Sequence, residues 1–178
     1  MVQVEVNENV LELKNIQLAY ETQGEDVLAL QNIDLNIKEG EFVCILGPSG
    51  CGKSTLLKIL AGFITPTEGS AKIDGSEINS IDWNRGVVFQ QAALYPWLTV
   101  EQNVNFGLKM RKKKDATTVR YFLEKVGLSQ FSHNKPYELS GGMKQRVAIA
   151  RVLVNNPRVL LMDCLLYTSP SPRDGATS

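Results

Sequence analysis

The chain has little to bind it together, or to other molecules, beyond its own core. Its three cysteines, Cys44, Cys51 and Cys164, form no CxxC pair and no even framework, which excludes a disulfide scaffold. The start, Met1-Val2-Gln3-Val4-Glu5, has neither a basic nor an apolar leader region; together with the cysteines it predicts a reducing cytoplasm and no signal peptide. Nineteen basic residues against nineteen acidic ones leave no net charge, which argues against a whole-domain affinity for nucleic acid or anionic lipid. No apolar run approaches the roughly 18 residues that span a bilayer. The longest, Phe42–Leu46 and Val159–Met162, have the length of strands, so work at a membrane would need another chain as anchor. Internal repeats are absent as well.

What is present suits one soluble globular domain: 178 residues, 43% hydrophobic and 21% charged. A chain of this length buries about 70% of its unfolded surface. Val10–Tyr20 and Val27–Ile37 alternate apolar and polar residues, with a slip near Asn15 and near Asn32. They predict two half-buried strands with bulges, joined by a loop over 21–26, with a turn following at Lys38-Glu39-Gly40-Glu41. Phe42–Leu46 has no alternation and predicts a strand buried on both faces, as in a parallel sheet; Val159–Met162 predicts another. Short strands are expected at Ser70–Asp74 and Gly86–Phe89. Helices are expected at Lys53–Ala61, closed by Gly62; at Val100–Met110, opened by the capping box Thr99-x-x-Gln102; from Asp115 to Gly127; and at Gly141–Val154, capped by Ser140. On the last, Met143, Val147, Ala150 and Val154 share one face. The basic run Arg111–Lys114 reads as solvated surface. From Cys164 on, two prolines, small polar residues and no periodicity predict a disordered tail over 164–178.

Gly47-Pro48-Ser49-Gly50-Cys51-Gly52-Lys53-Ser54 matches G-x-x-x-x-G-K-[ST] in full, and Thr55 comes next. Glycines let backbone N–H groups converge on phosphate oxygens, and the following helix adds free amides and the positive end of its dipole. Lys53 is expected to reach the β- and γ-phosphates of a nucleoside triphosphate, and Ser54 to ligate magnesium. Asp163 ends the apolar strand Val159–Met162, where open α/β sheets place their ligands, and is expected to face that magnesium. Several triphosphate-binding classes share these two parts. A guanine reader of the N-K-x-D type is missing, since Asn134-Lys135-Pro136-Tyr137 lacks the acid.

Leu139-Ser140-Gly141-Gly142-Met143-Lys144-Gln145-Arg146 resembles the LSGGQ-type signature of the ATP-binding cassette family, with Met143 in the usual Gln place. Ser140, Gly141 and Gly142 at a helix start make a second anion site. One chain does not need two cradles for one nucleotide, whereas a dimer does. The resemblance runs from about Val10 to Asp163. It implies an α/β fold: a P-loop NTPase core with a parallel sheet, an N-terminal antiparallel β subdomain and a helical signature subdomain. It further implies ATP and Mg2+ as cofactors and an ATPase that energises transport. Tyr20 matches the aromatic residue that stacks on adenine, and Gln90 the loop glutamine that senses magnesium and the attacking water. Three stretches, Gly47–Gly52, Gly86–Gln90 and Leu94–Val100, look like the importer branch and most like its nitrate, sulfonate and taurine group. The implied partners are a transmembrane permease, a second ATP-binding subunit and, indirectly, a substrate-binding protein, with no nucleic acid. The implied location is the cytoplasmic face of the membrane.

The chain also departs from the family. Cys164 stands where the family has a water-polarising Glu, and His133 precedes the signature, so it cannot be the family's switch histidine. The match stops at Asp163, and residues 164–178 have the character of read-through into unrelated sequence. The expected organisation is therefore an incomplete nucleotide-binding domain over 1–163, with a helical subdomain at about 92–140, the C-terminal part of the core missing, and a non-native tail. This fragment is expected to hydrolyse ATP poorly or not at all. Two alternatives remain open at this point: a cassette ATPase acting on nucleic acid or ribosomes, and a binding-only, inactive fragment.

Overall fold

The structure, a computed structural model, describes residues 9–22 and 25–163. The expected tail over 164–178 lies outside the described residues. The chain forms two compact units: one comprises residues up to Gly86 together with Pro157–Leu161, the other Val87–Asn156 together with Met162 onward.

The first unit is built on a long antiparallel hairpin, β1 (Asn9–Thr22) and β2 (Glu25–Lys38), extended by β3 (Glu68–Ile73) and β4 (Ser76–Glu77) in the order β2-β1-β3-β4. The hairpin is tighter than alternation alone predicted. Thr22 pairs with Glu25, so the paired strands take in Glu21, Thr22, Glu25 and Asp26 of the expected 21–26 loop. Both expected bulges are present. Asn15 and Asn32 have φ of 48° and 49°, and the pairing of β1 with β2 shifts register between Leu13 and Ile16. Each bulge advances the frame by one residue, which keeps Leu11, Leu13, Ile16 and Leu18 all buried. The turn after β2 closes through the Glu41 amide donating to the Lys38 carbonyl, with Gly40 at φ 77°. Helix α1 (Lys53–Ala61) buries Leu56, Ile59, Leu60 and Ala61 and ends at left-handed Gly62, as its sequence predicted. Arg158 ties Asp74 to Glu39 by hydrogen bonds and ion pairs; this contact holds the Glu39 carboxyl below its ordinary range.

The second unit is helical. Helix α2 (Val100–Met110) begins with the predicted box: the Gln102 amide donates to Thr99 Oγ1, and the Thr99 amide to Gln102 Oε1. Helix α3 (Ala116–Lys125) is capped by Asp115, whose carboxylate accepts from the Thr118 amide and hydroxyl and is thereby held below its usual range. Helix α4 (Gly141–Leu153) starts at Ser140. Val147, Ala150 and Val154, with Met143 at the margin, pack with Val100, Val104, Leu108, Val119 and Leu123 into one core. Short 3₁₀ turns at Ser129–Phe131 and Pro136–Glu138, which the sequence pattern did not reveal, lead into α4. Lys112, Lys113 and Lys114 are exposed, as the charge run predicted.

Strand β5 (Arg85–Val88) pairs with β6 (Val159–Met162). The Val159 amide donates to the Asn84 carbonyl and the Asp163 amide to the Val88 carbonyl. The constant offset of these two bonds makes the pairing parallel.

Two expectations fail here. Phe42–Leu46 forms no strand: Phe42 is 92% and Leu46 73% exposed. In β6, Leu161 is buried but Leu160 and Met162 are each 39% exposed. The reason is the same for both. An apolar run carries strand propensity, but a strand needs a ladder partner to form, and burial on both faces needs layers packed over both. Among the described residues no strand pairs with 42–46, and β6 has only β5 beside it.

Where β3 passes the Asn15 bulge, Gly69 has φ 86°, and an added Cβ would run into the carbonyl oxygens of Lys14 and Asn15. Gly75 has a similar φ of 77° but open space around it. Gly69→Ala should therefore lower unfolding free energy by about 1–3 kcal/mol, and by more than Gly75→Ala, in urea titrations. Equal losses from the two variants would contradict the close approach of β3 to the bulge.

Candidate functional site

In the first unit the residues from 47 to 52 form an exposed turn that runs into α1. Gly52 is the N-cap, at φ 90°; a Cβ there would meet Leu30 Cδ2 at 2.6 Å and the Ala29 carbonyl oxygen at 2.7 Å. Only glycine fits that backbone. No side chain caps α1, and its first turn holds no acid, so neither a cap nor a first-turn carboxylate offsets the positive end of its dipole. The intrahelical ladder begins with the Leu56 amide donating to the Gly52 carbonyl at 2.8 Å. Lys53 Nζ folds back over the loop, donating to the carbonyls of Gly47 at 2.8 Å and Pro48 at 2.6 Å, and lies 3.4 Å from Cys51 Sγ. Ser54 is exposed and Thr55 half-buried. An ammonium group, a hydroxyl and a helix start without a side-chain cap thus share a few consecutive residues. That combination is chemically suited to an anion with several oxygens. Tyr20, 41% exposed near the end of β1, belongs to the same unit.

In the second unit the β5–β6 ladder sets two more of the expected residues close together. The Asp163 amide bonds to Val88, and Gln90 lies two residues after Val88. Both therefore leave the carboxyl ends of adjacent parallel strands, the position where α/β sheets bind ligands. Gln90 is exposed.

Ser140 caps α4 by accepting from the Met143 amide at 3.3 Å. Gly141 and Gly142 are exposed, and an added Cβ on either would meet nothing within 4 Å. Packing within the chain therefore does not demand glycine at either position, although each costs a helix about 1 kcal/mol relative to alanine. Bare backbone at this helix start is open to an anion arriving from outside.

Three further residues shape the loop after Gln90. Asn103, fully buried, accepts from the Tyr95 amide at 2.8 Å and donates to the carbonyls of Tyr95, Leu98 and Thr99. Arg151 donates to the Ala93 carbonyl at 2.8 Å and sits 5.6 Å from the Tyr95 ring; burial pushes its pKa below the usual guanidinium value. Gln145 donates to the Phe89 carbonyl at 3.1 Å. Trp97 is left 69% exposed at the loop's outer end. Sequence reasoning missed all three. Asn103 alone had a local signal, a polar residue on the apolar stripe between Val100 and Val104.

The family described as "ABC transporter" matches residues 30–164. The taurine import ATP-binding protein TauB of Pelagibacter ubique is 49% identical over 154 residues, covering 84% of this chain and 58% of that protein. The nitrate import ATP-binding protein NrtD of a Synechocystis strain is 50% identical over 156 residues, covering 86% of this chain and 59% of its own length. The chain thus spans less than two thirds of these curated relatives. Among solved structures, the ATP-binding cassette MJ0796, dimeric and bound to ADP and Pi after hydrolysis, is similar with a TM-score of 0.77 and 41% identity, over 86% of this chain and 73% of that one. The loop at 47–55, the parallel β5–β6 pair and the glycine-opened helix α4 all lie inside the matched region. The chain belongs to the ABC transporter family, and it is that family's ATP-binding domain that it carries.

Proposed function

We propose that this chain is the ATP-binding subunit of an importer, acting at the cytoplasmic face of a membrane with a permease, a second ATP-binding subunit and, indirectly, a substrate-binding protein. The observation that carries the reading is the loop at 47–55, with its α1 start free of any side-chain cap and Lys53 poised over it. ATP is the ligand common to the family. The importer assignment, and its nitrate, sulfonate and taurine group, rest on relatives named for taurine and nitrate import. Among the described residues no helix is long and apolar enough to cross a membrane. In this reading the permease is met through the loop that leaves Trp97 exposed.

In this reading Lys53 leaves the Gly47 and Pro48 carbonyls to pair with the β- and γ-phosphates, and the amides from 50 to 55 take the remaining oxygens. Tyr20 stacks on adenine. The residues fit magnesium: the Ser54 hydroxyl, the Gln90 amide oxygen and the Asp163 carboxylate are hard oxygen donors. Magnesium would supply charge neutralisation on the transferring phosphoryl group. Ser140, Gly141 and Gly142, whose open helix start needs no glycine for its own packing, serve the nucleotide held by the second subunit. Residues 1–163 act as one nucleotide-binding domain. Hydrolysis by this chain is weak, because Cys164 comes after Asp163 and a neutral thiol does not orient water as a carboxylate does.

Two measurements test this reading. A fluorescent ATP analogue titrated into the chain in magnesium should bind at least tenfold more tightly than to Lys53→Ala; equal affinities would reject the loop assignment. A chimera carrying the taurine-import relative's sequence after residue 164 allows the second. With Cys164→Glu it should release phosphate about 100-fold faster than with Cys164 kept. Comparable turnover would reject the role given to that position.

A further inference from the structure

We propose that Gln145 and Arg151, on the signature helix α4, are positioning residues that hold the Gln90 loop from both ends. The proposal rests on the reading of Gln90 given above and adds to it the groups that aim the glutamine.

The loop leaves β5 at Val88, and its carbonyls at Phe89 and Ala93 bracket the segment Gln90-Gln91-Ala92. Phe89 O accepts from Gln145 Nε2 at 3.1 Å, and Ala93 O from an Arg151 guanidinium nitrogen at 2.8 Å. Both donors come from one rigid element. They lie six residues apart on α4, roughly 9 Å along its axis at 1.5 Å per residue. The first strap end is fixed twice, because the neighbouring Val88 carbonyl accepts the Asp163 amide. The second end is reinforced from the side: Arg151 faces the Tyr95 ring, and Tyr95 is held through its amide and carbonyl by buried Asn103 and packs on Phe106 at 4.4 Å.

Between these fixed points Gln90 and Gln91 are exposed. The segment is short and pinned at both ends, so it moves with α4 rather than independently of it. Gln145 lies five residues beyond Ser140, about one and a half turns from the helix start. A small rotation of α4 therefore shifts Phe89 and, through it, the Gln90 side chain. This makes Gln145 the more informative of the two residues. Its amide donates to a backbone oxygen outside its own helix, it is only half-buried, and it belongs to no part of the core cluster. Arg151, whose guanidinium also meets the Tyr95 ring, carries the structural share of the clamp.

The test uses the full chain with three forms at one position: native, Gln145→Glu, which removes the donor at nearly constant shape, and Gln145→Lys, which restores one. Backbone 15N relaxation reads the loop directly. Order parameters at Gln90, Gln91 and Ala92 should fall from the rigid range near 0.85 to below about 0.6 in Gln145→Glu. They should recover in Gln145→Lys, while values across α2 and the melting temperature stay unchanged. Alongside, magnesium is titrated against a fixed concentration of fluorescent ATP analogue. The half-effective magnesium concentration should rise about three- to tenfold in Gln145→Glu, the equivalent of one neutral hydrogen bond, with affinity in EDTA unaltered. Unchanged order parameters in Gln145→Glu, or loosening spread equally over α2, would overturn the clamp. A loosened loop with an unmoved magnesium response would overturn the positioning role. Native chain that binds the analogue with no magnesium dependence would instead contradict the reading of Gln90 itself, and the relaxation data would still judge the clamp.

Discussion

A backbone amide can bind phosphate only where no side chain stands in front of it, and that requirement governs both helix starts on which the functional reading depends. At α1 the constraint is met by geometry that nothing but glycine permits: Gly52 is left-handed and would collide with Leu30 and Ala29 if it carried a Cβ. At α4 it is met by omission, since Gly141 and Gly142 face open space. The two starts differ in one instructive respect. Ser140 caps α4 with its own hydroxyl, whereas α1 has no side-chain cap and only the Lys53 ammonium folded nearby. The uncapped first start is the one to which the proposed function assigns this chain's own nucleotide. The second keeps its cap and offers a lighter, accessory surface.

The scaffold around these starts obeys local rules applied without much compromise. Bulges at Asn15 and Asn32 keep a long hairpin in phase with its core, and Gly69 lets the next strand close over the first bulge. Three helices of the second unit begin at the side-chain caps Thr99, Asp115 and Ser140. Their apolar faces meet in one core, and the fully buried Asn103 organises the loop that leads into it.

What could be read in the sequence divides along the same line between local and distant causes. Caps, the Gly62 helix stop and the two bulges depend on residues within a few positions of one another, and these stand in the structure where the sequence put them. The α/β class and the family were legible for the same reason, through Gly47–Ser54 and Leu139–Arg146. The fate of Phe42–Leu46 was not legible, because whether a run pairs as a strand, and what covers its faces, is decided by distant segments. Nor were Gln145 and Arg151, whose partners are backbone carbonyls 56 and 58 residues away. A side chain reaching a distant carbonyl leaves no periodicity and no motif.

In the proposed function triphosphate enters at Lys53 and the bare α1 start. An amide chemical-shift titration of the chain with magnesium and ATP, residue by residue, measures this most directly. The largest displacements should fall at Gly50, Cys51, Gly52, Lys53, Ser54 and Thr55, saturating together. Saturable binding with those amides unmoved, or with the largest shifts confined to the lysines at 112–114, would contradict it.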